Sequence, residues 1–134
     1  MGALIDHRTS FGWLSIYDLK GCKGNISNVK ILSNFLEVLV ENVMGMNIVG
    51  TPQFQYFQDN DYNRERDLVG YSITCIISLS SITIHICELS KTAYIDIFSC
   101  CELDESIENQ CLNLIKSIFE PDEVRGKIIR RGIK

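Results

Sequence analysis

The 134-residue chain lacks several things, and each absence removes a class of function. No apolar run approaches the length needed to cross a bilayer. The first ten residues, MGALIDHRTS, lack the charged-then-apolar plan of a secretory signal, so a cytoplasmic location is expected. Basic charge is not in excess: 13 Lys and Arg against 17 Asp and Glu give a net charge of −4. That argues against nucleic acid as a partner, because phosphate binding needs a basic face. The basic ending KIIRRGIK alternates with isoleucines and reads as an edge strand. No CxxC pair occurs among the six cysteines, and neither of the two histidines stands at zinc-ligand spacing, so no metal site is expected. Without a secretory signal a disulfide framework is not expected, and Cys75 and Cys111 read as small buried residues. There is no internal repeat, no low-complexity tract and no G-x-S-x-G elbow.

What is present suits one domain over residues 1–134: 46% hydrophobic and 22% charged residues. FGWLSIYDL (11–19) alternates and predicts a strand. After the turn KGCKGN, Ser27 is placed to cap a helix in which Val29, Leu32, Leu36, Leu39, Val40 and Val43 recur at helical spacing, with Gly45 as its stop. Residues 46–58 resume strand character, with Pro52 placing them at an edge. DNDYNRERD (59–67) reads as a polar loop. Three strands are predicted at about 68–80, 82–88 and 92–101, from the period-two runs of branched residues. Asp104 caps a second helix with Ile107, Cys111, Leu114, Ile115 and Ile118 on its buried face and Pro121 after its end, and 123–132 closes the chain as a strand. Short connections make the strands antiparallel. The fold class is therefore α+β, a two-layer α/β sandwich with two helices on one face of an antiparallel sheet. The other face is solvated or covered by a second subunit, giving an α/β/β/α homodimer.

Strand parity makes that second face chemically interesting. It puts Ser72, Ser80, His85 and Cys100 on the side turned away from the helices, unless a bulge intervenes. A hydroxyl, an imidazole and a thiol could converge there, and Ser with His suggests acyl transfer with the imidazole as base. Asp96 is available to orient His85, but without an elbow a hydrolase is the weaker reading. A flat strand is also a poor place to present Cys100 as an activated protease nucleophile.

At these residues the sequence resembles the prokaryotic type of S-adenosylmethionine decarboxylase, a self-processing pyruvoyl enzyme. LSSITIH (79–85) and YIDIFSC (94–100) occupy the family's central pattern without a gap, and SIYDLKGC (15–22) and RRG (130–132) extend the likeness over most of the chain. The resemblance implies that Ser80 is the cleavage serine: its hydroxyl attacks the carbonyl of Leu79, the peptide becomes an ester, and elimination with hydrolysis leaves a pyruvoyl group at the new N-terminus. That ketone, the only cofactor implied, serves as an electron sink when carbon dioxide leaves an amino-acid-type substrate. By the same resemblance Ser72 and His85 assist cleavage, Cys100 returns a proton to the substrate carbon, and the site lies between two subunits.

The sequence departs from the family's pattern at four places. Leu79 replaces a Glu, Ser81 a His, Cys87-Glu88-Leu89 an aromatic-Pro-Glu segment, and Cys101 a Gly. Tyr94, Phe98, Phe54, Tyr56 and Phe57 are the aromatic residues left to stack on a substrate. Two further readings follow from these departures: a decarboxylase of the same fold acting on another amino acid, such as a basic one, and an unprocessed homologue that binds or regulates.

Overall fold

Six runs of alternating residues form one antiparallel sheet in the computed structural model, which describes residues 12–132. The strands are β1 (Gly12–Lys20), β2 (Gln53–Phe57), β3 (Gly70–Ile77), β4 (Ser80–Cys87), β5 (Thr92–Ser99) and β6 (Glu123–Arg131), in the spatial order β2-β3-β4-β5-β1-β6. β6 is an edge strand, as its basic alternation predicts, and β2, just after Pro52, is the other. Residues 1–10 and Phe11, the first residue of the expected strand 11–19, lie outside the described residues.

Two helices cover one face. α1 (Val29–Glu37) runs on without a break into a π-helical segment (Val38–Val43) and stops before Gly45, whose φ of +68° suits a residue without a side chain. Its cap is Asn28, whose side chain accepts the Ile31 N–H at 3.1 Å. The expected cap, Ser27, instead gives its hydroxyl to Glu88. Between β2 and β3, the expected polar loop holds one helical turn, α2 (Asp61–Glu65), started by Asn60, which accepts the Asn63 N–H at 2.8 Å. α3 (Glu105–Phe119) begins at Asp104, whose carboxylate accepts the Ile107 N–H at 2.9 Å, and ends at Glu120 in left-handed conformation.

The core lies between α1, α3 and the sheet. Leu32, Leu36 and Leu39 meet Ile73, Ile84 and Ile95, all with no exposed surface. Phe35 and Phe119 join the two helices edge to face, ring centres 5.6 Å apart. Each such side chain contributes about 1.5–3 kcal/mol by leaving water. On the opposite side of the sheet Ile76 is 56% and Tyr94 44% exposed, so this face is uncovered, as the two-helix count requires.

One polar clamp ties α3 to the sheet. Glu108 accepts the Ser15 hydroxyl at 2.8 Å and the Tyr17 hydroxyl at 2.6 Å, both donors being almost wholly buried. Burial, then the bond to Glu108, pushes the Tyr17 phenol well above its ordinary range. Removing the carboxylate leaves two buried hydroxyls without their acceptor, at about 1–3 kcal/mol each in the worst case. Glu108→Ala is therefore expected to lower folding stability by about 2–3 kcal/mol, read from the urea midpoint. A loss within experimental error would show that water replaces the carboxylate.

Buried thiols are expected to make the fold sensitive to alkali. Burial, aided by the negative charge of Glu108, raises Cys111 to about 12, and burial with Asp122 raises Cys22 to about 11. Above the ordinary thiol range the unfolded chain gives up these protons while the folded chain keeps them, so their contribution is full below pH about 9 and is lost as pH rises. Tyr17 acts in the same direction above its own ordinary range. Stability is expected to fall by about 3–5 kcal/mol between about pH 8 and about pH 11, and the Cys22→Ala, Cys111→Ala double variant to show a flatter profile.

Three strand boundaries differ from expectation. The segment 46–58 is regular only from Gln53, with one isolated bridge between Ile48 and Ile77. The strand expected at 92–101 ends at Ser99. The strand expected at 68–80 ends at Ile77, where Ser78 and Leu79 make a two-residue turn and Ile77 pairs with Ser80. Ser80 therefore opens β4 rather than closing β3, which changes its surroundings.

Candidate active site

Ser80 follows Leu79, which holds a φ of +52° and is 75% exposed at the tip of the β3–β4 hairpin. A branched-chain residue in the left-handed region costs about 1–2 kcal/mol. The strain lies in the residue whose carbonyl is bonded to the Ser80 nitrogen. Ser80 itself is 6% exposed, and its Oγ accepts the backbone N–H of Cys100 at 3.0 Å. Cys100 stands just past β5, and its thiol lies 3.8 Å from the Ser78 carbonyl oxygen. Two contacts thus hold the hairpin tip against the end of β5 and bring together Ser80 and Cys100.

Ser72 and His85 form a second pair. They are register partners across β3 and β4, with Ser72 Oγ 2.9 Å from His85 Nδ1 on the open face. Tyr94 is the partner of His85 on β5, so the imidazole stands between a hydroxyl and an aromatic ring. The bond to Ser72 occupies Nδ1, and Asp96 pairs with Thr83 in the next row rather than with His85.

Within one chain the two pairs do not meet. His85 lies five residues along β4 from Ser80, about 16–17 Å at the rise of a strand. Ser80 also shares parity with Ile82 and Ile84, the helix-facing set. The expectation that Ser72, Ser80, His85 and Cys100 share the open face is corrected for Ser80. The turn at Ser78 and Leu79 shifts its parity, as a bulge would.

A cleft of about 730 Å³ opens on the uncovered face beside this end of the sheet, lined by Leu14, Ser81, Thr83, Asp96, Phe98 and Arg131. The Arg131 guanidinium lies over the Phe98 ring, 5.5 Å from its centre. Sequence reasoning singled out neither Ser81 nor Arg131 as lining residues. The pairing of Ser81 with Phe98 and of Leu14 with Phe98 is what reveals the cleft, and register is not written in any one strand.

The other aromatic candidates divide by face. Phe54 packs edge to face on Tyr71, and Tyr56 lies 4.8 Å from the same ring, on the helix side. Glu88 turns that way too, accepting the hydroxyls of Ser27 and Tyr56, the latter at 3.1 Å. Cys101 is exposed, its sulfur 3.7 Å from that of Cys100. That neighbouring thiol, followed by partial burial, pushes the Cys101 thiol above its ordinary range. Among the described residues no group of three or more His, Cys, Asp and Glu side chains could hold a metal ion. No helix among them is long and apolar enough to cross a membrane.

The same arrangement of elements occurs in a solved protein. The crystal structure of the adenosylmethionine decarboxylase from Aquifex aeolicus VF5 superposes with a TM-score of 0.72, covering 94% of each chain at 19% sequence identity. At that identity the likeness is one of fold. A search of the curated proteins finds no match. A family model described as S-adenosylmethionine decarboxylase matches residues 14–132, a span that takes in both hydrogen-bonded pairs and the cleft. This chain belongs to the S-adenosylmethionine decarboxylase family.

Proposed function

We propose that the chain cuts itself between Leu79 and Ser80 and then decarboxylates S-adenosylmethionine, the aminopropyl source for spermidine synthesis, in a homodimer. The observation that carries this reading is the placement of Ser80 directly after a left-handed Leu79, with its Oγ fixed by the Cys100 N–H. Attack of that Oγ on the Leu79 carbonyl carbon forms a C–O bond and breaks the C–N bond. The peptide is then an ester and the Ser80 nitrogen a free amine. Elimination releases the Leu79 carboxylate, and hydrolysis of the remaining enamine sends the nitrogen away as ammonia. The residue left at position 80 is a pyruvoyl group, whose ketone supplies the electron sink for loss of carbon dioxide. Breaking the strained linkage removes the conformational cost held at Leu79.

The separation of the two pairs supports a site shared between copies. The uncovered face carries Leu14, Ile16, Ile76, Phe98 and Ile129 beside polar Ser72, Thr83, His85 and Asp96, the mixture expected of a surface that both packs and reacts. Two sheets stacked on this face, related by a two-fold axis running across the strands, set the Ser72–His85 row of one copy over the Ser80–Cys100 end of the other. In this arrangement Ser72 and His85 assist cleavage in the opposite chain, and the Cys100 thiol, held at the hairpin tip, donates the proton to the substrate carbon.

A second reading, a decarboxylase of another amino acid, is favoured by Glu88. The nearest acid to the family's lost aromatic-Pro-Glu segment is turned to the helix side and engaged by Ser27 and Tyr56, away from the cleft. Carbon dioxide release from S-adenosylmethionine and from a panel of amino acids separates the two.

The cleavage step is tested by denaturing mass spectrometry of freshly folded protein. The expected result is two fragments, residues 1–79 and 80–134, the second with a blocked N-terminus, and one whole chain for Ser80→Ala. A wild-type chain that stays whole after long incubation would make this an unprocessed binding or regulatory member of the family.

A further inference from the structure

Where the family has a Gly after its catalytic cysteine, this chain has a second thiol, and no step of the reading above uses it. We infer that Cys100 and Cys101 form a reversible oxidation site, closing into a vicinal disulfide that silences the decarboxylase. The effect on turnover rests on the reading of Cys100 as proton donor; the covalent chemistry does not.

Three observations carry the inference. The two sulfurs already lie 3.7 Å apart, so they point to the same side of the chain. Both residues fall in the stretch between the end of β5 and the start of α3, outside ladder and helix, where the peptide joining them is held by a side-chain bond, from the Cys101 N–H to the Ser99 hydroxyl. Cys101 is exposed, whereas Cys22, Cys75 and Cys111 are buried, so an oxidant in solution reaches this pair before those three.

The chemistry needs only a hydroperoxide. The Cys101 sulfur attacks its outer oxygen; an S–O bond forms, the O–O bond breaks, and an alcohol or water leaves with the thiol proton. The Cys100 sulfur then attacks the Cys101 sulfenic acid; the S–S bond forms and hydroxide leaves with the second proton as water. Two thiols have lost two electrons and the peroxide has gained them.

Geometry makes the product labile. Neighbouring α-carbons are about 3.8 Å apart across a trans peptide, below the usual disulfide range of about 4.4–6.8 Å. A bridge here is strained, and strained bridges are the easily reduced ones. Closure also acts beyond the thiol. The Ser99 hydroxyl spans Cys101, giving its proton to the Cys101 carbonyl at 2.5 Å and accepting the Cys101 N–H at 3.2 Å. The Cys100 N–H is the donor to Ser80. Twisting the peptide between residues 100 and 101 strains the Cys101 N–H bond to Ser99 and turns Cys100, whose own N–H on the preceding peptide is the group bonded to Ser80.

Hydrogen peroxide treatment of the native full-length protein, followed by alkylation and peptide mass mapping, tests this. The peptide holding residues 100 and 101 is expected to lose two hydrogen masses as turnover disappears, and dithiothreitol to restore both. Cys101→Ala and Cys101→Ser are expected to keep full turnover before treatment. After it they gain two or three oxygens on Cys100 and are not rescued by dithiothreitol. Oxygen gained by the wild-type pair, or a bridge from Cys101 to any other cysteine, would overturn the inference. A two-hydrogen loss with turnover intact supports the oxidation site and overturns Cys100 as proton donor.

Discussion

Co-expressed chains carrying Ser80→Ala and His85→Ala are expected to form a heterodimer with about half the wild-type turnover per dimer, although each variant alone falls by at least about a hundredfold. Ser80 and Cys100 meet at the hairpin tip, while Ser72 and His85 meet on the open face about 16–17 Å along the strand. If a working site takes the first pair from one chain and the second from its neighbour, the mixed dimer gathers both defects in one site and leaves the other intact. Tandem affinity tags isolate that species, and turnover with fragment analysis reads the result. A mixed dimer as inactive as its parents would place all four residues in one chain's site.

Cys100→Ala separates cleavage from turnover. The bond to Ser80 comes from the backbone N–H of Cys100, which alanine retains, so cleavage at Leu79 and Ser80 is expected to proceed to completion. The thiol is lost, and with it the proposed donor, a role worth about 10²–10⁴ in rate. The expected outcome is fully cut protein with kcat reduced by about a hundredfold or more. Turnover close to wild type would remove Cys100 from the reaction. Uncut protein would instead assign the thiol, 3.8 Å from the Ser78 carbonyl, to self-processing.

Much of the architecture was legible because burial has a period. Leu32, Leu36, Leu39 and Val40 recur at helical spacing and are all fully buried; Ile82, Ile84 and Ile86 alternate and face the helices. The same parity placed Ser72 and His85 on one face, whereas their pairing in one row comes from the register of β3 on β4. The hairpin tip was hidden because its turn, Ser78-Leu79, has none of the Asn-Gly or Asp-Gly chemistry that marks a two-residue connection. Leucine in the left-handed region goes against local preference, so the sequence reads as a strand running straight through. That single missed turn moved Ser80 to the other parity and concealed the division of the site into two pairs. α2 was missed for a related reason. It has no apolar stripe, and its one turn is held by local polar bonds, among them the Asn60 cap and the bidentate bond of Arg64 to Asp59, at 2.5 and 2.8 Å.

The proposed turnover depends on a ketone made at position 80 from the chain's own serine. Borohydride reduction in the presence of S-adenosylmethionine, followed by mass analysis of the separated fragments, tests it most directly. The expected product is a covalent substrate adduct confined to fragment 80–134 and absent from Ser80→Ala. Protein that is cut but takes no label, or that remains whole and unlabelled, would contradict it.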